Sequence, residues 1–150
     1  MSTEARGARA SDATAPSGAV APGAIPVVAA VVCRDGRYLL GQRPAEKRHG
    51  GLWEFPGGKV HEGESMLEAV RREMAEEMGL HVVSLGPLRL TVGDPGAAFV
   101  IHFVEAVAEG DAEAREHARV AWLTPDDMAD MPLAPADRIF ATRLAGTSGP

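Results

Sequence analysis

Residues 57–80 read GGKVHEGESMLEAVRREMAEEMGL, and the rest of the chain is best read outward from this stretch. Ser65 and Glu68 stand three apart, the spacing at which a hydroxyl and a carboxylate satisfy each other's free backbone N–H groups and start a helix. Leu67, Val70, Met74 and Met78 then recur at helical intervals, and Gly79 suits the left-handed position that ends a helix. Glu73, Glu76 and Glu77 fall at i, i+3 and i+4, which puts three carboxylates on one face. Like charges so placed repel by about 0.2–0.5 kcal/mol per pair. Either that face is a solvated acidic one, relieved by Arg71 and Arg72, or a cation belongs on it. The glycine-bearing loop just before the helix, with Gly57, Gly58 and Glu64, favours the cation. Small residues let backbone approach a ligand closely, and Mg²⁺ prefers a few carboxylates together with phosphate oxygens and waters.

On the N-terminal side, residues 27–33 form a β-branched apolar run, and Asp35-Gly36 supplies a hairpin turn into residues 38–40. Residues 43–51 are polar and loop-like, and residues 52–55 form a short apolar stretch stopped by Pro56-Gly57-Gly58. On the C-terminal side three strand-like runs follow, at 81–92 (broken by Gly86-Pro87), 98–107 and 118–123. Thr124-Pro125-Asp126-Asp127 has an N-cap and a proline at the first helical position, and residues 137–144 form a last helix. Strands outnumber helices, and the helices come singly between strand groups. The expected class is α/β, a mixed sheet covered by helices on its faces.

At 150 residues there is room for one domain. The 45% hydrophobic and 24% charged residues are an ordinary globular mix. Residues 1–25 are nearly all Ala, Gly, Ser, Thr and Pro, too poor in large apolar groups to offset ordering entropy, so a disordered tail is expected there. A folded domain over 26–145 and a flexible tail over 146–150 complete the expected organisation. The net charge of −6 argues against duplex nucleic acid or a polybasic membrane tether as partner. Cys33 is alone, which excludes an internal disulfide and fits a reducing, cytoplasmic setting. No apolar run is long enough to span a bilayer, and Arg6 and Arg9 are not followed by the apolar core of a secretory signal.

Written as spacing, the central stretch is Gly58, five residues, Glu64, seven residues, Arg72-Glu73-Met74, one residue, Glu76-Glu77, one residue, Gly79-Leu80. It resembles the Nudix box at every specified position. With Gly, Glu and Arg each at roughly 6% usage, a chance match is on the order of one in 10⁷. The resemblance extends over about residues 27–144. It implies a Nudix-type α/β/α sandwich with a mixed β-sheet, and a hydrolase that cleaves nucleoside diphosphates linked to another group, using Mg²⁺ with Mn²⁺ as a substitute. It also implies that Glu73, Glu76 and Glu77 are metal ligands, that Gly57 lends a backbone carbonyl, and that Arg72 holds Glu73 by an ion pair. Glu64 resembles the position that orients the helix or assists with metal.

Residues 51–59, GLWEFPGGK, are similar to the MutT-type branch, which attacks nucleoside triphosphates at the β-phosphorus and releases monophosphate and pyrophosphate. In that branch Arg43 and Lys59 match phosphate contacts. Glu116, ahead of residues 120–122, matches a further metal carboxylate, with an exposed loop acid as the plain alternative. Asp137 matches a base-contacting position; Asp there resembles the branch that handles cytidine nucleotides and sometimes oxidised purines, whereas relatives that read 8-oxoguanine often carry Asn. It could equally cap the last helix. The loop 93–98 is poor in base-reading groups. His61 reads as a surface residue or a phosphate contact, and Trp53 as core or a stacking platform. The expected activity is nucleotide-pool hydrolysis of 8-oxo-dGTP or of (d)CTP and 5-methyl-dCTP, by a monomer or homodimer. Hydrolysis of ADP-ribose or another nucleoside diphosphate derivative, and a silent nucleotide-binding module, are the alternatives.

Overall fold

The computed structural model describes residues 23–93 and 98–147. Most of the expected N-terminal tail, residues 94–97 of the small loop, and residues 148–150 lie outside the described residues.

Eleven elements follow in order among the described residues. They are β1 (Ile25–Val31), β2 (Cys33–Arg34), β3 (Arg37–Gln42), β4 (Trp53–Glu54), β5 (Gly57–Lys59), α1 (Met66–Met78), β6 (His81–Gly93), β7 (Phe99–Glu109), β8 (Arg119–Leu123), α2 (Pro125–Ala129) and α3 (Pro135–Thr147). One sheet has the order β5-β1-β7-β6 and is mixed: β1 runs parallel to β7, and the other neighbours are antiparallel. The second sheet is antiparallel and built on β3, which pairs β8 along one edge and β2 and β4 along the other.

Strand β1 shows why two helical layers are needed. Its alternate residues Val28 and Ala30, with Val32 just beyond, pack with Val70, Met74 and Met78 of α1. Ala29 and Val31 point the other way and pack with Phe140 and Leu144 of α3. Each fully buried side chain of this size contributes roughly 1.5–3 kcal/mol, so a strand sealed on both faces anchors the sandwich. On the α3 side, Phe103 stacks on Phe140 at 4.7 Å, and Phe55 meets both rings edge-on at 5.9 and 5.2 Å.

Local signals hold where the sequence places them. Ser65 and Glu68 exchange both capping bonds, Gly79 is left-handed at φ 69°, and Thr124 caps α2 with proline in its first turn. Asp35 and Gly36 both have positive φ, as a two-residue hairpin requires.

Several boundaries differ from expectation. The run through Gly86-Pro87 is one continuous strand, β6, and not two. It lies at a sheet edge and absorbs the proline through register shifts between Val82 and Leu90, where a missing N–H costs little. Gly57-Gly58-Lys59 pairs with β1 as strand β5 although glycine disfavours strands. The first strand begins at Ile25, inside the expected tail. Helix α3 starts at Pro135 and carries on to Thr147, so residues 146 and 147 are helical and not part of a tail.

Candidate active site

The pairing of β5 with β1 sets the site. A Cβ on Gly57 would overlap the Val28 carbonyl, and one on Gly58 would overlap the carboxylate of Glu73. Two glycines therefore let β5 lie close against β1 on one side and against the acidic face of α1 on the other. The Gly57 N–H donates to Glu77 Oε1 at 3.3 Å, so the contact observed at Gly57 is through its amide. Glu77 is only 7% exposed and lies beside Glu73. Burial above all, then the Glu73 carboxyl and the charge of Glu54, push the Glu77 pKa far above the usual carboxylate range.

Arg72 organises the rest of the helix face. Its Nε and Nη2 donate to the two oxygens of Glu64 at 2.7 and 2.9 Å, and its Nη1 donates to Glu73 Oε2 at 2.7 Å. Nη2 also reaches the Lys59 carbonyl, tying the loop to the helix. The guanidinium, with the His61 N–H, holds the Glu64 carboxyl down at about 2, and the Arg72 pKa is raised in turn. Glu64 thus spends its oxygens on Arg72 and the loop backbone. Glu76 lies 3.6 Å from Arg72 and is half exposed.

A cavity of about 430 Å³ opens beside Glu77, lined by Arg43, Glu46, Lys47, Glu54, Glu116 and His117 among others. Glu116 stands at its exposed rim, where the fold brings the loop ahead of β8 next to the buried Glu77. Arg43 donates from Nε to the Arg48 carbonyl at 2.6 Å and from Nη1 to both oxygens of Glu54 at 3.3 Å. His117 Nε2 is 2.9 Å from Glu54 Oε2. Glu54 and His117 carry no functional reading in the sequence. The available hint was a charged residue between Trp53 and Phe55, two side chains that are both buried.

Other expected contacts sit elsewhere. The Lys59 ammonium lies over the Phe99 ring at 5.5 Å and does not line the cavity. Asp137 lies inside the first turn of α3 and not ahead of it, so it is not the cap of that helix. Its Oδ1 accepts from the Phe55 N–H at 2.8 Å, and burial, reinforced by the charge of Glu54, pushes its pKa up to about 8. The His61 side chain is exposed. Trp53 is buried in the core under Arg119, whose guanidinium covers the ring at 5.5 Å, which removes it as a stacking platform.

Among the described residues no three His, Cys, Asp or Glu side chains already converge as a metal cage. The donor set nonetheless suits a hard divalent cation. Glu73 and Glu77 bring two carboxyls side by side, and a cation between them would offset the repulsion that raises the Glu77 pKa.

The family model described as NUDIX domain matches residues 23–144. The chain belongs to the Nudix family. It is 40% identical over 123 residues to the CTP pyrophosphohydrolase of Escherichia coli (strain K12), covering 75% of this chain and 85% of that one. It is 36% identical over 129 residues to the putative 8-oxo-dGTP diphosphatase 2 of Mycobacterium tuberculosis (strain ATCC 25618 / H37Rv), covering 81% and 88%. Among solved structures, the E. coli ORF135 protein superposes with a TM-score of 0.70 at 37% identity, covering 81% of this chain and 89% of that one. A MutT Nudix hydrolase from Burkholderia pseudomallei does so at 0.66 and 29%, covering 79% and 95%. The mixed α/β sandwich and the membership among Nudix hydrolases are thereby established. No helix among the described residues is long and apolar enough to cross a membrane.

Proposed function

We propose that this Nudix hydrolase is a Mg²⁺-dependent nucleoside triphosphate pyrophosphohydrolase with cytidine nucleotides as its preferred class. The observation that carries the reading is the juxtaposition of the Glu73–Glu77 pair with a cavity walled by Arg43 and Glu116. An acidic pair alone repels a polyphosphate; an acidic pair beside an arginine suits a polyphosphate that arrives with its cation. The name of the E. coli relative supports cytidine.

Glu73 and Glu77, with Glu76 on the same helix face and Glu116 at the cavity rim, would hold the metal. Bound there, it would neutralise phosphate charge and make a water molecule acidic enough to yield hydroxide near neutral pH. The chain's own groups supply the remainder. Arg43 would bind the phosphates, and Glu64, through Arg72, keeps Glu73 in place. Glu73 is our candidate base for the attacking water's proton. Water oxygen would bond to the β-phosphorus while the bond to the α–β bridging oxygen breaks, so the products are a monophosphate and pyrophosphate. A cytoplasmic setting and a monomer or homodimer are part of the same proposal.

A second reading, 8-oxo-dGTP hydrolysis, is favoured by the name of the M. tuberculosis relative and by Asp137. A carboxyl kept protonated by burial can donate to an oxo group, where an ionised one can only accept. Competition between 5-methyl-dCTP and 8-oxo-dGTP, with Mg²⁺ and product analysis, tests both. Faster formation of 5-methyl-dCMP and pyrophosphate supports the first reading, and faster 8-oxo-dGMP formation supports the second. Release of inorganic phosphate, selective cleavage of ADP-ribose to AMP and ribose 5-phosphate, or tight binding without product would overturn both.

A further inference from the structure

His117 occupies a slot that the fold keeps open for it. Gly41 of β3 lies opposite Glu54 of β4 on one side and Val120 of β8 on the other. A Cβ at Gly41 would come within 2.5–2.7 Å of Cγ, Cδ2 and Nδ1 of the His117 ring, closer than real Cβ atoms approach anything. Gly41 does not have positive φ, so its backbone conformation does not call for glycine. The missing side chain serves the ring.

The ring's hydrogen bonding is one-sided. The His117 side chain is 5% exposed, and Nδ1 is buried with no hydrogen-bond partner. A hydrogen on Nδ1 would be a buried donor without an acceptor, so the ring hydrogen belongs on Nε2 and is donated to Glu54 Oε2. Glu54 has two donors on its carboxylate, His117 Nε2 and Arg43 Nη1. Arg43 is steered by this carboxylate and by the Arg48 carbonyl, and it faces the cavity.

We propose that His117 is a positioning residue that, seated against Gly41, fixes the Glu54 carboxylate and through it aims the Arg43 guanidinium at the substrate's phosphates. This deepens the polyphosphate reading above and rests on it. The fixed carboxylate spares Arg43 the entropy of finding its pose each time a substrate arrives. Held to Glu54 by one nitrogen shared between two oxygens at 3.3 Å, Arg43 can still exchange Glu54 for a phosphate.

The test is kinetic and structural together. His117→Ala should raise the KM for CTP about tenfold while kcat stays within about threefold. His117→Gln, whose amide can donate from a similar distance, should recover most of that loss. Gly41→Ala, whose added Cβ meets the His117 ring first, should reproduce the His117→Ala effect by closing the slot. In an Arg43→Ala background, His117→Ala should add nothing further to KM. Unchanged KM in folded His117→Ala, full additivity with Arg43→Ala, or equal loss in the Gln and Ala variants would overturn the proposal. If the wild-type protein hydrolyses no nucleotide, the functional reading has failed and the coupling is read directly. The Arg43 Nε–H resonance should move in His117→Ala and Gly41→Ala, and a resonance that stays in place in both overturns the proposal.

Discussion

Glu77 has a single carboxyl with two incompatible demands. It is buried beside Glu73, which raises its pKa and favours the protonated form, yet the proposed reaction needs it ionised against a metal. Glu77→Gln keeps the shape and the acceptor for the Gly57 N–H, so the metal-free fold should keep its melting temperature within a few degrees. The kcat should fall by roughly 10²–10⁴, as expected for loss of a metal ligand; near wild-type turnover at ordinary Mg²⁺ would contradict the assignment. Asp137 gives a cleaner pH signature. Its folded pKa, about 8, lies above its ordinary value of 3.8, so above pH 4 the folded state holds a proton that the unfolded state has lost. Its contribution to stability is complete below pH 4 and is lost as pH rises toward 8. Between pH 6 and pH 8 that loss is about 2 kcal/mol. Asp137→Asn, which still accepts from Phe55 but cannot ionise, should show a flatter melting profile over this interval. A profile parallel to wild type would mean Asp137 ionises freely.

At the level of elements, the acidic helix was legible because its information is local. Capping spacing, apolar periodicity and a terminal glycine all lie within residues 65–79, and each contact they specify is made. The strand before it was not legible. Gly57 and Gly58 read as a loop because their strand is imposed by β1, which they can approach only by having no side chain. Gly57→Ala should therefore cost about 3 kcal/mol or more through overlap with the Val28 carbonyl, and should also displace Glu77. An unchanged thermal midpoint would show that β5 can move away cheaply. Glu54 and His117 escaped notice for a related reason: they are 63 positions apart and meet only because β4 and β8 both pair with β3. Lys59 is held by a contact that its local sequence does not announce. Its place in the sequence suggested a phosphate contact, whereas its ammonium rests on Phe99.

The whole molecule is two helical layers closed over two sheets, with β1 of the mixed sheet buried on both faces. The proposed site depends on both layers, since α1 carries the acids and α3 supports the segment from β4 to β5 through Phe140 and Asp137. Phe140→Ala should cost about 3–5 kcal/mol by opening a cavity beside Phe55 and Phe103, whereas Ile139→Ala, at an exposed neighbour, should change stability by under about 0.5 kcal/mol. Equal effects in chemical denaturation would mean that α3 is not packed as described. The fold class was readable because strand and helix signals alternate along the chain. The separation into two sheets was not, because it is set by pairings of β3 that no local pattern encodes.

The proposed site joins a glycine-opened strand to an acidic helix, which together would hold a divalent cation against a polyphosphate. Anomalous diffraction from a crystal soaked in Mn²⁺ tests it most directly. The account predicts a peak at about 2.0–2.3 Å from carboxylate oxygens of both Glu73 and Glu77, beside the cavity that holds Arg43. Bound manganese elsewhere, with no peak beside Glu73 and Glu77, would contradict it.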